Sequence, residues 1–402
     1  MRFGLHSIVA ILIAILLLPG LALAQQPASP PSNDASSQAA PSSELTQEGP
    51  IAPVLSGPYP VMSKAAEDRA RQLFQMFNHV QTSEFWASLS AGLRKRSVSE
   101  AKYAEGTKKL RERMGSETKV IKEVIVPFAL SPDTIYTRLS EFSGVKVPVI
   151  TAITINQRGQ VDSFSVGPEY PIAEGRFAGY TDATKLHLPF GTEWLVYQGG
   201  RRPFDNLYAG SDELRFAMDF VYTKDGRMFS GAGGYGSKPS DYYCFGQPIL
   251  APADGTVVKA EAGYNDNDPG KPSGDAPDGN VVEVSFGDGE LVMMNHLKQN
   301  SLKVKIGDKV KQGDVLAQCG NSGASPAPHL HFELQKGGGV LVPAQFNDYI
   351  SDGKPVVVGE PTKGEFVKNG NPATGASTTP AAKPAGDAKK NAASKPATDA
   401  KK

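Results

Sequence analysis

Residues 328–333 read Pro-His-Leu-His-Phe-Glu, and this stretch decides the fold of the second half of the chain. Side chains two residues apart in a β-strand point to the same face, so His329 and His331 would project together. Leu330 and Phe332 would then pack into a core behind them. Two imidazoles on one face suit a zinc site, or one metal ligand beside a general base. Because His-x-His alone is also common in ordinary strands, its meaning depends on the surrounding sequence.

Several short elements surround this strand and predict an all-β domain over residues 185–350. A turn at 321–323, Asn-Ser-Gly, precedes the strand, and residues 304–316, VKIGDKVKQGDVL, carry regularly spaced hairpin glycines before it. Further upstream, residues 291–296, LVMMNH, and residues 246–255, GQPILAPADG, read as two more strands with turns. Frequent turn signals without a long helical period predict a sandwich of antiparallel sheets.

These elements, taken in order over residues 246–334, resemble the core of the lysostaphin/LytM-type zinc metallopeptidases. That family's core reads roughly GxPVxAPxDGxV, then YxH, VxxGDxVxxGQ and a closing GxHLHFE. The resemblance implies one zinc ion as cofactor, hydrolysis of peptide bonds, and peptidoglycan peptide cross-links as the substrate. It also implies a protein of the bacterial cell envelope.

The resemblance assigns roles to individual residues of this chain. His331, the second histidine of His-x-His, corresponds to a zinc ligand, and His329 and His296 correspond to the catalytic pair that flanks the substrate carbonyl. The family's aspartate ligand best matches Asp219 in the strand LRFAMDF, with Asp241 as a rival position.

The family's first histidine ligand is missing at the expected positions. It should lie four residues before the aspartate, where Arg215 stands, or about a dozen before it in members with a longer loop, where Tyr208 stands. Four residues before Asp241 lies Ser237. His187 is the domain's one remaining histidine, and a residue of the first strand or loop is the simpler interpretation of it.

A second departure from the family pattern lies near His296, because Met294 replaces the tyrosine expected two residues before it.

The departures leave two functional hypotheses. In the first, a zinc metallo-endopeptidase completes its ligand set with Tyr208, His187 or water, although a phenol of reference pKa ~10 is a costly ligand. In the second, a catalytically degenerate domain binds peptidoglycan or activates a partner cell-wall hydrolase. The hairpin at 304–316 also resembles biotinyl and lipoyl carrier domains. A carrier needs a displayed, modifiable lysine, and export makes that modification improbable, so this third hypothesis is set aside.

The N-terminal residues predict export. Arg2 precedes the apolar run at 8–24, which ends in Ala-Leu-Ala, and these are the parts of a secretory signal peptide (1–24) cleaved after Ala24. An uncleaved membrane anchor is the alternative, and no other run of spanning length follows. Export permits a disulfide between the only two cysteines, Cys244 and Cys319, although the sequence equally allows two buried thiols.

Composition predicts two unstructured segments and excludes one class of partner. Residues 25–57 are rich in Ser, Pro, Gln and Ala, and residues 365–402 repeat Ala, Lys, Pro and Asp, so neither can bury enough apolar surface to order itself. Lys plus Arg and Asp plus Glu are balanced at 42 each, so nothing steers the chain toward nucleic acid.

Residues 58–168 read as a separate α+β domain. Apolar spacing predicts a helix over 64–81, a second short helix continues through Phe85 and Leu93, and a capping box at Ser97 and Glu100 predicts a third helix that ends near Gly115. Four strand-like runs follow them. This order predicts a cone-like α+β fold and resembles the nuclear-transport-factor-like domains. No catalytic constellation occurs in it, so binding or packing is its expected role.

Overall fold

The computed structural model describes residues 62–172, 177, 179–211, 213–230 and 236–370. The predicted signal peptide (1–24), the leader (25–57) and the part of the predicted tail beyond residue 370 lie outside these ranges. Among the helices of the described ranges, none has the length and apolar character needed to cross a membrane.

The N-terminal part consists of four helices followed by four strands, whereas the sequence predicts three helices and four strands. Its elements are α1 (Lys64–Asn78), α2 (Thr82–Ala87), α3 (Ala91–Arg96), α4 (Glu100–Met114), β1 (Glu117–Pro127), β2 (Thr134–Phe142), β3 (Val149–Ile155) and β4 (Val161–Pro168). The strands form an antiparallel meander in the order β1-β2-β3-β4. Its core joins helix residues such as Leu73 and Phe77 to sheet residues such as Tyr136 and Ile153. The cone-like closure of this domain stays a prediction.

Two details of the helices differ from the prediction. The segment through Phe85 and Leu93 forms two short helices, because Ser90 accepts a hydrogen bond from the Leu93 amide and starts a new helix. Ser97 ends α3, whereas Ser99 caps α4 by accepting from the Lys102 amide, so the predicted capping box was placed two residues too early. Side-chain capping by serine fixed both helix starts.

The C-terminal domain is built from antiparallel strands, as predicted. They are β5 (Trp194–Gln198), β6 (Met218–Val221), β7 (Pro248–Leu250), β8 (Gly255–Glu261), β9 (Asn280–Ser285), β10 (Glu290–Leu297), β11 (Lys309–Val310), β12 (Val315–Gln318), β13 (Leu330–Lys336), β14 (Val340–Val342), β15 (Phe346–Ser351), β16 (Lys354–Gly359) and β17 (Phe366–Asn369). Within the described residues, eleven strands form one sheet in the order β11-β8-β9-β10-β13-β6-β5-β17-β15-β16, with β14 beside β13. Strands β7 and β12 pair separately. The predicted sandwich is therefore one dominant sheet with a small second one.

The C-terminal domain also extends further than predicted. Strand β16 continues the hairpin from β15, and β17 pairs with both β15 and β5. The predicted domain end at residue 350 and the predicted tail start at residue 365 both fall inside this structure. Strand β17 pairs with β5, which is distant in the sequence. The last strand of the C-terminal part therefore ends at Asn369.

The N-terminal and C-terminal parts of the described residues contact each other through polar and apolar groups. Lys122 of β1 donates to Asp205 Oδ1 at 2.7 Å, and the Tyr242 hydroxyl donates to the Ala129 carbonyl oxygen at 2.8 Å. A shared apolar cluster includes Val124, Val126 and Leu139 from the first domain and Leu195, Phe204 and Val221 from the second.

Cys244 and Cys319 form a disulfide that links the segment before β7 to the end of β12, with their Cα atoms 5.9 Å apart. This settles the alternative that the sequence left open. We expect the double variant Cys244→Ala, Cys319→Ala to lose roughly 2–4 kcal/mol of unfolding free energy, because the bond closes a long loop in the unfolded chain. Urea unfolding measures the loss, and an unchanged midpoint would contradict it.

A half-buried carboxyl group anchors the segment before β5. Asp182 Oδ2 accepts a hydrogen bond from the Gln345 amide at 2.6 Å, while its Oδ1 has no hydrogen-bond partner among the described residues. Burial, together with the nearby charges of Glu290 and Glu360, raises the pKa of Asp182 to about 7. The folded chain therefore holds a proton that the unfolded chain releases near pH 4.

This carboxyl group makes stability fall as the pH rises. Because the pKa of Asp182 is higher in the folded state, the folded chain binds more protons between about pH 4 and pH 7, and its unfolding free energy decreases across that window. Relative to Asp182→Asn, the wild type should lose ~1–2 kcal/mol from pH 4.5 to pH 8, since solvent screening reduces the nominal effect. Urea unfolding measures the unfolding free energy of both proteins at each pH. The same pH dependence in both would exclude this contribution of Asp182.

Candidate metal centre

The register between strands β6 and β13 creates the centre of the site. Asp219 lies directly opposite His331, and His331 Nδ1 donates to Asp219 Oδ1 at 2.8 Å. Leu330 and Phe332, on either side of His331, are fully buried in the main core. The alternation of apolar and polar residues thus turns His331 to one face of the sheet and anchors its strand on the other.

His296 and His329 complete a cluster of three histidines. Together with His331, they offer ring nitrogens that all lie within 4.8 Å of one another, and all three side chains are buried. The rings of His296 and His329 are 4.9 Å apart, centroid to centroid. The structure therefore brings together Asp219 and the three histidines that the sequence singled out.

Backbone carbonyls orient the two flanking histidines. His296 Nδ1 lies 2.9 Å from the Ser322 carbonyl oxygen, and His329 Nδ1 lies 2.8 Å from that of Ala327. A carbonyl oxygen only accepts, so we assign a proton to Nδ1 in both rings, which leaves each Nε2 available to a substrate. The Ser325 hydroxyl lies 3.2 Å from His329 Nδ1 and adds to this support.

His296 adopts an unusual backbone conformation. Its φ is +59°, a left-handed value that costs energy in a non-glycine residue and is found mostly where surrounding contacts enforce it. The His296 amide donates to the Asp278 carbonyl oxygen at 3.1 Å, and its ring is held by Ser322. The strand β10 thus breaks its register at this point and aims the ring at the cluster.

Tyr208 lies beside Asp219 and His331. Its hydroxyl donates to Asp219 Oδ2 at 2.9 Å, and its ring stands edge-on to His331 with centroids 5.7 Å apart. A short 3-10 helix, Leu207–Gly210, presents it, and Asn206 caps this helix by accepting from the Tyr208 amide. Of the alternatives raised for the third ligand, Tyr208 is the residue that reaches Asp219.

The other residues considered for the missing ligand lie elsewhere. Arg215 places its guanidinium over the ring of Phe216, and the His187 amide donates to the Pro252 carbonyl oxygen in the domain's first segment. Asp241, the rival for Asp219, accepts from amides of its own turn instead. Met294, in place of the expected tyrosine, is fully buried in the main core.

Glu333 belongs to the site, although no role was predicted for it. His331 Nε2 donates to Glu333 Oε1 at 3.0 Å, so both nitrogens of this ring are held by carboxylates. Gln335 in turn donates to Glu333 Oε2 at 2.7 Å. The same spacing of two along a strand that predicts the pairing of His329 with His331 also places Glu333 on this face.

The buried charged groups of the site shift one another's pKa values. Burial alone would raise the pKa of Asp219, but His329, His331 and the Tyr208 hydrogen bond hold it below its usual value. Burial alone would lower the pKa of His331, but its hydrogen bonds to Asp219 and Glu333 raise it to about 10. Burial lowers the pKa of His329 and, with repulsion from the other two histidines, lowers that of His296 further. A metal ion must therefore displace a proton from His331.

The donor atoms fit a zinc ion. Asp219 and His331 Nδ1 are a carboxylate and an imidazole donor of the kinds that bind zinc in proteins, and the Tyr208 hydroxyl is hydrogen-bonded to Asp219 beside them. Glu333 on the far nitrogen of His331 is the outer carboxylate that usually orients a metal-binding histidine. The weak member of the set is Tyr208, because burial and the charge of Asp219 raise the pKa of its phenol well above the usual value.

The C-terminal region is similar in sequence to known peptidases. The sequence profile of peptidase family M23 matches residues 240–343. The chain is 36% identical over 106 residues to an uncharacterized metalloprotease of Haemophilus influenzae, covering 24% of this chain and 18% of that protein. It is 33% identical over 89 residues to the peptidoglycan DD-endopeptidase ShyC of Vibrio cholerae, covering 22% and 17%. This chain thus spans less than a fifth of either relative.

A solved structure is also similar, namely a variant of the catalytic domain of the prophage-encoded M23 protein EnpA from Enterococcus faecalis. It is 24% identical, covers 39% of this chain and 94% of that chain, and has a TM-score of 0.27. By the profile match, the C-terminal region is similar to peptidase family M23 over residues 240–343. The profile match lies wholly outside residues 58–168, so their resemblance to nuclear-transport-factor-like domains gains no support from it.

Proposed function

We propose that the C-terminal domain is a zinc-dependent endopeptidase that cuts peptide cross-links of peptidoglycan in the cell envelope. Asp219, His331 and Tyr208 hold the zinc, and His296 and His329 are the catalytic pair. The observation that carries this proposal is the buried pair of His296 and His329, each fixed by a backbone carbonyl and turned to the Asp219–His331 pair. A domain that only bound its ligand would have no need for this arrangement.

Zinc, when bound, polarises a peptide carbonyl and makes water acidic enough to attack it near neutral pH. His296 and His329 then supply the proton transfers and hydrogen bonds at Nε2, since Nδ1 of each ring is committed to the backbone. Their lowered pKa values keep both rings neutral at pH 7, the form in which Nε2 accepts a proton. Glu333 fixes the orientation of His331.

The location of the protein follows from the proposed export signal. The disulfide between Cys244 and Cys319 suits an oxidising compartment, in which the predicted signal peptide at 1–24 would deliver the chain to the periplasm or the exterior. Peptidoglycan is accessible there.

The alternative function is a degenerate domain that binds peptidoglycan, or activates a partner hydrolase, without cleavage. It is favoured by the Tyr208 hydroxyl, which keeps its proton in a buried hydrogen bond to Asp219 where the family has an imidazole. In that case a proton on His331 would permanently satisfy Asp219 and Glu333.

Digestion of isolated sacculi separates the two functions. We expect the purified protein with zinc to release cross-link fragments, and His329→Ala to abolish the release while retaining binding to the sacculi, because His329 acts on the substrate rather than holding the metal. Binding without release by the wild type would favour the degenerate domain. Absence of both binding and release would refute the peptidoglycan assignment.

A further inference from the structure

A turn at residues 321–327, between β12 and β13, orients two histidines of the cluster. His296 Nδ1 donates to the Ser322 carbonyl oxygen at 2.9 Å. His329 Nδ1 donates to the Ala327 carbonyl oxygen at 2.8 Å. The turn lies outside the strands, so the register of the sheet does not fix its position. Its placement matters for catalysis, because a displacement of about 1 Å in a reacting group can slow a reaction roughly 100-fold.

The loop between β8 and β9 holds this turn through a series of hydrogen bonds. The Asn267 amide donates to the Asn321 carbonyl oxygen at 3.0 Å, and the Asn321 side chain donates to the Asn267 carbonyl oxygen at 2.8 Å. The Asn267 side chain also donates to the Gly323 carbonyl oxygen at 2.6 Å. The Gly270 amide donates to the Pro326 carbonyl oxygen at 2.7 Å. The turn is therefore fastened to the loop near both of its ends.

Asp266 connects this loop to both histidine-bearing segments at once. Its Oδ1 accepts a hydrogen bond from the Asn321 amide at 2.8 Å, in the turn that precedes His329. Its Oδ2 accepts from the Gln299 amide at 3.1 Å, three residues after His296. One carboxylate therefore spans the two segments that carry the two histidines.

The carboxylate form of Asp266 suits this role. A carboxylate offers two acceptor oxygens, and hydrogen bonds from N–H groups to an anion are stronger than those to a neutral acceptor. Asparagine has nearly the same shape, but its amide nitrogen would face one of the two N–H groups and lose that hydrogen bond. The substitution Asp266→Asn therefore breaks one of the two connections and removes little volume.

We propose that Asp266 is a positioning residue that sets the spacing between His296 and His329 by holding the two segments that carry them. Its effect passes through the turn and not through the metal ligands. The inference rests on the proposed function, because it assigns Asp266 to the reaction that these histidines carry out.

Digestion of isolated sacculi by the zinc-loaded chain without residues 1–24 tests the role in catalysis. Asp266→Asn should slow the release of fragments about 10- to 100-fold, while zinc content and binding to the sacculi stay at wild-type values. Asp268→Asn is the matched control, since this exposed carboxylate of the same loop pairs with Lys271 at 3.2 Å on the surface. It should release fragments like the wild type.

A second measurement does not depend on activity. With the histidines labelled with ¹⁵N, NMR measures how fast the Nδ1 protons of His296 and His329 exchange with water. Asp266→Asn should speed this exchange about 10-fold or more, because the carbonyl groups that hold these protons lose part of their support. Asp268→Asn should leave the exchange unchanged.

The outcomes separate this inference from the proposed function. Exchange and release at wild-type rates in Asp266→Asn would overturn the inference. A parallel loss of zinc, sacculus binding and activity would also overturn it, because Asp266 would then support the whole domain. If Asp266→Asn speeds the exchange while the wild type digests nothing, the positioning of the histidines stands and the proposed function fails.

Discussion

Tyr208→His is expected to raise the zinc affinity of the domain by about 10–100-fold or more, a range typical of changes around a metal-binding histidine. The side chain at this position already reaches Asp219, so an imidazole here would complete a set of two histidines and one aspartate. An imidazole binds zinc without the cost of removing a phenolic proton, which is high because the pKa of Tyr208 is raised. Competition with a chromogenic chelator measures the affinity.

Tyr208→Phe is the matched control for this substitution. It keeps the ring against His331 and removes only the hydroxyl, so zinc affinity should fall below that of the wild type if the phenol is a ligand. Wild-type affinity in Tyr208→Phe would show that water, not Tyr208, completes the ligand set. A Tyr208→His protein with no gain in affinity would contradict the placement of the third ligand at this position.

His331→Ala is expected to abolish zinc binding and, in zinc-free buffer, to lower the unfolding free energy by about 3–5 kcal/mol. His331 donates to two buried carboxylates, Asp219 and Glu333, and its removal leaves both without their cation. Part of the loss comes from the cavity left by the ring. Urea unfolding in the presence of a chelator measures the loss.

A second variant tests the electrostatic part of this loss. Adding Glu333→Gln to His331→Ala removes one of the two stranded charges and should recover part of the stability, although zinc binding stays absent. The loss of unfolding free energy caused by Glu333→Gln is measured in the wild type and again in His331→Ala. If it is equally large in both, the carboxylates of Asp219 and Glu333 are not stabilised by His331, and the electrostatic explanation is wrong.

The strand that carries the histidines could be predicted because its pattern is local. Apolar residues at 330 and 332 alternate with polar residues at 329, 331 and 333. A period of two indicates a β-strand with one face on the core and the other face turned away from it. Glu333 follows from the same period. Its contact with His331 was therefore available from the sequence, although the prediction stopped at the histidines.

Tyr208 could not be placed from the sequence with the same certainty. Eleven residues separate it from Asp219, and they run through a loop with a 3-10 turn, where no period relates one side chain to another. The approach depends on Asn206, whose side chain bonds three carbonyl oxygens across the loop. Contacts of this kind are set by tertiary structure.

The end of the C-terminal domain was missed although a local signal was present. Asp352 and Gly353 both have positive φ values, +47° and +76°, as a two-residue hairpin turn requires. An Asp-Gly pair between two strand-like runs predicts such a hairpin, and the three valines of β16 follow after Lys354 and Pro355. By contrast, the pairing of β17 with β5 joins residues about 170 positions apart, and no local pattern encodes it.

Zinc content of the purified chain without residues 1–24, beside His331→Ala, is the measurement that tests the metal centre most directly. The proposed ligand set predicts close to one zinc per wild-type chain after incubation with zinc and dialysis, and none in the variant. A wild-type protein that retains no zinc would contradict it, and would mean that the loss of the family's first histidine has left a binding domain instead of a peptidase.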